Sequence, residues 1–218
     1  MRRQTPFLSL SADERAAIFE QTGQKTGRIA RMIEKDFWVC WLLERLFTLE
    51  SAPLMAFKGG TSLSKVFKVI SRFSEDVDIT IDKTSLGAQL HPSLSKTQAR
   101  KVLDGLPRKV AQLAREILIP HLEHDRPEAS VDYDETSMAL TFRYPSVLPM
   151  PGDSYVTDMV LIEFGARNPI EPCESYWIEA DAAPYFPGVS FPGAAVRVLS
   201  LARTFWEKGH IDPCRYQR

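Results

Sequence analysis

The stretch from Leu54 to Ile81 leaves this chain the fewest choices of fold. A short apolar run, Leu54 to Phe57, ends in Lys58-Gly59-Gly60-Thr61-Ser62; a helix-like segment and Arg72-Phe73-Ser74-Glu75 follow, and then Asp76-Val77-Asp78-Ile79-Thr80-Ile81. The apolar run reads as a buried strand. Two adjacent glycines carry no Cβ, so the backbone can turn sharply and a ligand can approach it closely. Thr61 or Ser62 can cap the next helix, whose first N–H groups and dipole favour an anion. The Gly-Lys-Ser/Thr ending of a P-loop is missing. From Asp76 onward apolar and polar residues alternate, the period of a half-buried strand. Asp76 and Asp78 therefore share one face, with Cα atoms about 6.5–7 Å apart. Carboxylates so placed can converge on one or two Mg²⁺ ions. Each part alone has a plainer reading, a solvated strand edge or a simple turn; their conjunction is far more specific.

The remaining chain supplies helices before and strands after this unit. Ser11 and Glu14 form a capping box, predicting a helix from Ala12. Gly27 separates it from a second, long helix over residues 28–49, whose Ile29, Ile33, Phe37 and Trp41 make a broad apolar face. Ser95 and Gln98 form another capping box, opening a helix through Ile119 that Pro107 splits or kinks. Residues 138–144 and 155–164 read as strands joined by a proline-rich link, 169–192 as loop, and 196–208 as a last helix. Within the second strand Glu163 is a lone acid in an apolar run; it is either a third metal ligand and proton acceptor or half of a salt bridge with Arg143 or Arg167. Asp158, on the opposite face, is the fallback.

Two stretches extend the pattern. Ile33-Glu34-Lys35-Asp36-Phe37-Trp38-Val39 precedes the glycine motif, and Arg203-Thr204-Phe205-Trp206-Glu207-Lys208 lies near the end. Together with Phe57–Lys65 and Arg72–Asp78 they resemble the AbiEii/AbiGii toxin family, nucleotidyltransferases of the DNA polymerase β superfamily related to the MenT toxins. The resemblance implies an α+β fold, with a polymerase-β-like core of a small mixed or antiparallel sheet flanked by helices. It implies a single domain: a helical part over 1–50, a sheet-bearing catalytic core over 51–168, and a loop leading into a shortened C-terminal helical lobe over 169–218. It implies Asp76, Asp78 and Glu163 as metal ligands for Mg²⁺, and Lys208 as a catalytic cation on the phosphates. Lys58, Gly59, Gly60, Thr61, Ser62 and Lys65 would meet the NTP. Arg72 and Ser74 would shape the loop. The implied reaction moves a nucleoside monophosphate from NTP to an acceptor, with the tRNA 3′ end as acceptor and an AbiEi-like antitoxin as partner. Family members continue past the Lys208 motif, which makes an inactive nucleotide- or partner-binding remnant the alternative.

Charge and cysteine content set bounds. A net charge of −1 argues against indiscriminate nucleic-acid binding. Lys96, Arg100, Lys101, Arg108, Lys109 and Arg115 nevertheless cluster ahead of Glu123, Asp125, Glu128, Asp132, Asp134 and Glu135; this is either a steering surface for RNA or a solvated helix face. Three scattered cysteines without C-x-x-C read as reduced thiols, predicting a cytoplasmic protein, and no apolar run is long enough to span a bilayer. His121 and His124 lack a third ligand at zinc spacing.

Overall fold

The computed structural model describes residues 4–70, 76–149 and 156–209, apart from the side chains of 207–209. In chain order the elements are β1 (Thr5–Pro6), α1 (Ala12–Thr26), α2 (Ala30–Thr48), β2 (Met55–Lys58), α3 (Gly59–Lys65), β3 (Asp76–Ile81), α4 (Lys96–Asp104), α5 (Leu106–Leu113), α6 (Ile119–Asp125), β4 (Ser130–Asp134), β5 (Ala139–Arg143), β6 (Met159–Gly165), β7 (Cys173–Glu179), β8 (Val189–Ser190), β9 (Gly193–Leu199) and α7 (Leu201–Gly209). Local chemistry explains the starts and stops. The Ser11 hydroxyl accepts from the Glu14 N–H while Glu14 accepts from the Ser11 N–H, closing the first capping box, and Gly27 ends α1 at φ +71°. The second box opens α4 as expected. The helix it begins breaks at Gly105, restarts with Pro107 in the first turn of α5, and passes through a π-helical turn, Ala114–Leu118, into α6.

A seven-stranded mixed sheet runs in the order β4-β5-β6-β3-β2-β9-β7. β3 is antiparallel to β2 and parallel to β6, while β2 is parallel to β9. The sheet is larger than expected from sequence. Residues 173–179, expected within a loop, and 193–199, whose residues 196–199 are expected to begin the last helix, both join it as strands. Its covered face carries Phe57, Val77, Ile79, Phe142, Val160, Ile162 and Val198, all fully buried. Against that face lies α2, whose Trp38 and Trp41 rings meet Phe142 at centroid distances of 5.7 and 5.4 Å. The fully buried aromatic and aliphatic side chains here form one continuous core.

Charged residues of α2 also point inward and tie down the link after β5. Glu34 accepts from the Val147 N–H at 2.8 Å and from the Ser146 hydroxyl at 2.7 Å. Burial raises the Glu34 pKa, opposed by those two hydrogen bonds. Arg31 donates to the Pro149 carbonyl at 3.1 Å and pairs with Asp158. Asp158 is therefore engaged by the helical layer, on the side away from Glu163. Among the described residues, no helix is long and apolar enough to cross a membrane.

Candidate active site

The site is set by register. Asp78 lies opposite Lys58 on β2 and opposite Glu163 on β6, and Asp76 lies opposite Leu161. Residues opposite one another share a face. Val77, Ile79 and Ile81 take the covered face of β3, and Val160, Ile162 and Phe164 that of β6. Asp76, Asp78, Lys58 and Glu163 are thus left together on the other face. Asp78 and Glu163 sit on neighbouring strands about 4.8 Å apart. Glu163 is exposed, contrary to the expectation of an acid inside an apolar run, because strand alternation turns only its neighbours inward. Neither proposed salt bridge forms: Arg143 pairs with Asp132 at 2.7 Å and Arg167 with Asp104 at 3.0 Å.

The glycine turn closes directly over these carboxylates. Gly59 has φ +79°, and a Cβ placed on it would lie 1.7 Å from Oδ2 of Asp78, 2.5 Å from its Cγ and 2.8 Å from its Cβ. The space that any other residue would fill is taken by the Asp78 carboxyl group. Only glycine satisfies both the left-handed backbone and this close approach. Thr61 donates its hydroxyl to the Asp76 carbonyl, stitching α3 to the start of β3. Ser62 donates to the Gly59 carbonyl at 2.9 Å. Gly59, Gly60, Thr61 and Ser62 are all buried. Ser62, fully buried, braces the turn from within.

Lys65 stands elsewhere than the sequence reading put it. Its ammonium bonds Asp36 at 2.5 Å and Asp181 at 2.6 Å, and its side chain is 8% exposed. Asp36 also accepts from the Asp181 N–H at 2.7 Å, and Arg28 pairs with Asp181 at 2.5 Å. Burial acts to lower the Lys65 pKa, but Asp36 and Asp181 more than offset it and the ammonium stays protonated. Burial likewise acts to raise the Asp181 pKa, and Lys65 and Arg28 pull it below the ordinary carboxylate range. The thiol of buried Cys40, beside Lys65, is pushed up by burial. Asp181 and Arg28 were not singled out from sequence. Lys65 meets Asp36 across 29 residues of chain and Asp181 across 116, and no motif links the three.

Lys208 lies in α7, and its side chain falls outside the described residues, as do Arg72 and Ser74. α7 packs against α3. The arrangement follows from topology: parallel neighbours β2 and β9 each lead into a helix at the same sheet edge, β2 into α3 and β9 into α7. Ser200 starts α7 by accepting from the Arg203 N–H at 3.3 Å.

Among the described residues, no three His, Cys, Asp or Glu side chains converge closely enough to enclose an ion by themselves. Mg²⁺ does not require that: it takes oxygen ligands, keeps several waters, and is commonly held by one or two carboxylates plus substrate phosphates. Asp76, Asp78 and Glu163, all oxygen donors on one face of the sheet, fit such an ion. Three of the six clustered cations on the basic helices have partners within the protein. Arg115 pairs with Glu135 at 2.5 Å, Arg100 with Asp104 at 3.6 Å, and Lys109 donates to the Leu86 carbonyl at 2.7 Å.

Comparison with known proteins agrees with the geometry. A family model described as nucleotidyl transferase AbiEii toxin, type IV TA system, matches residues 41–216, which include the glycine turn, both aspartates, Glu163 and the helix bearing Lys208. No curated protein matches the chain. The chain belongs to the AbiEii family of nucleotidyl transferase toxins.

Proposed function

We propose that this protein transfers a nucleoside monophosphate from an NTP to an acceptor hydroxyl, using Mg²⁺ held by Asp76, Asp78 and Glu163, and that the acceptor is the 3′ end of tRNA. The observation that carries the reading is the Asp78 carboxyl group lodged in the space of the missing Gly59 Cβ, with Glu163 in register beside it. That contact supports the reading because it brings carboxylate oxygens to the glycine turn, beside which a bound ion would meet the triphosphate. The bound ion would neutralise triphosphate charge and ease departure of pyrophosphate. The protein's own groups do the rest. The Gly59–Gly60 backbone and Lys58 would orient the triphosphate for in-line attack. Glu163, exposed on the same face, would take the proton of the attacking hydroxyl. The acceptor oxygen bonds to the α-phosphorus, the bond from that phosphorus to the bridging oxygen breaks, and pyrophosphate leaves. Lys208 would offset the growing negative charge.

Membership in a type IV toxin family implies an antitoxin partner; we infer that it is AbiEi-like and that both act in the cytoplasm, where tRNA and NTP occur. A second acceptor class, a small molecule or protein side chain, is favoured by one observation. Three of the six clustered cations, Arg100, Lys109 and Arg115, are already engaged by acids or a carbonyl. Incubation with each α-labelled NTP, Mg²⁺ and total tRNA separates the readings. Label on tRNA, abolished in Asp76→Ala/Asp78→Ala, is expected. Full labelling by that variant would refute the metal role, and label confined to another species would replace tRNA as acceptor.

A further inference from the structure

We propose that Lys65 is a positioning residue: bonded to Asp36 and Asp181, it fixes the far end of α3 and so sets where the Gly59–Gly60 turn sits against Asp76 and Asp78. The inference rests on the reading of the site given above. α3 has seven residues, too few to hold a helix without tertiary support. Its direction is therefore set by what grips its two ends. At the first end Gly59 lies on the Asp78 carboxyl group and Thr61 bonds the Asp76 carbonyl. At the last residue, about 9 Å along the axis, the Lys65 ammonium is held between the carboxylates of Asp36 and Asp181. A cation there also complements the helix dipole.

The anchor is built into rigid parts. Asp36 belongs to α2, the helix that covers the sheet, and Asp181 follows β7. Arg28, from the turn between α1 and α2, holds the second carboxylate. The cluster is balanced, two cations against two anions, and Asp36 is further fixed by the Asp181 N–H. For stability alone an apolar pair would do as well, since desolvating such charges offsets most of their attraction. What charges add is direction: an ammonium between two carboxylates has one place to be. Because the turn and the carboxylates must meet within a fraction of an ångström, a shift at Lys65 is transmitted to the reacting groups; misplacement of about 1 Å can cost about 100-fold in rate.

The test uses the full chain with Lys65→Met/Asp36→Leu, which removes one cation and one anion and leaves Arg28 with Asp181. Transfer from NTP and the ¹H–¹⁵N cross-peaks of Gly59 and Gly60 are both followed. The double variant is expected to fold, to lose about tenfold or more in kcat with KM for NTP changed less than about threefold, and to shift both glycine cross-peaks. Asp181→Asn, which alters only the more exposed partner, is expected to fold and to show a smaller loss of the same kind. Wild-type kcat in the folded variants, or glycine cross-peaks that stay in place, would overturn the proposal. If the wild-type protein itself transfers nothing, the functional reading fails, and the cross-peaks still report whether Lys65 positions the turn.

Discussion

Substituting Gly59 by alanine probes the contact on which the site is built. Two costs add. Alanine at φ +79° occupies the left-handed region, worth about 1–2 kcal/mol against it. Its Cβ would also fall 1.7 Å from the Asp78 carboxylate oxygen and 2.8 Å from the Asp78 Cβ. A rotation of the carboxyl group can relieve the first clash but not the second, so strand or turn must move, as in overpacked cores, at about 1–3 kcal/mol. Gly27→Ala supplies the control: φ is +71° and no atom lies within 4 Å of the added Cβ, so only the backbone cost remains. Equilibrium urea unfolding should place Gly59→Ala about 1–3 kcal/mol below Gly27→Ala. Combining Gly59→Ala with Asp78→Ala should recover part of that loss, with a coupling of about 1 kcal/mol or more. Nucleotidyl transfer should be lost in Gly59→Ala even where it remains folded. Equal stability of the two alanine variants, or strict additivity with Asp78→Ala, would refute the claimed approach of carboxylate to turn.

Glu163→Gln removes an exposed charge, so thermal stability should stay within about 0.5 kcal/mol while transfer falls by about 100-fold or more, read by melting curve and labelled NTP. Ser11→Ala breaks both bonds of the first capping box and should cost about 1 kcal/mol of unfolding free energy with transfer unaffected. Acid unfolding should depend on Asp181. Its pKa is lowered by Lys65 and Arg28 in spite of burial, so the stability it contributes is complete above the ordinary carboxylate range and is lost as pH falls through the lowered value. Asp181→Asn should therefore lower stability at neutral pH and flatten the decline below about pH 4; an unchanged acid limb would show that the pair contributes nothing.

The register that brings the candidate residues together is legible in the sequence because its parts are local. Gly59 and Gly60 open the short helix that follows β2, Asp76 and Asp78 lie on the paired strand β3, and period-two alternation alone decides which way the aspartates face. Glu163 stands out in the sequence as an isolated charge, but it is not buried: β6 buries Val160, Ile162 and Phe164 instead. β7 was missed because it is an edge strand with Ile178 as its single fully buried residue, so little alternation marks it. β9 does alternate, burying Ala194, Val196 and Val198, but its apolar residues run on into those of α7 and hide the boundary at Ser200. β4 was read as part of an acidic stretch, since only Val131 of its five residues is buried. Lys65 shows the remaining limit. A lysine beside a glycine turn invites a phosphate-binding role, and only three-dimensional proximity to Asp36 and Asp181 reveals that its charge is already matched inside the protein.

We propose that Asp76, Asp78 and Glu163 hold a divalent ion beside the glycine turn. Crystals grown with Mn²⁺ and a non-hydrolysable NTP test it directly through the anomalous signal of the metal. A peak is expected within about 2.0–2.3 Å of oxygens from Asp76 and Asp78, with the triphosphate against Gly59 and Gly60. A metal and nucleotide bound elsewhere on the molecule, with that face bare, would contradict it.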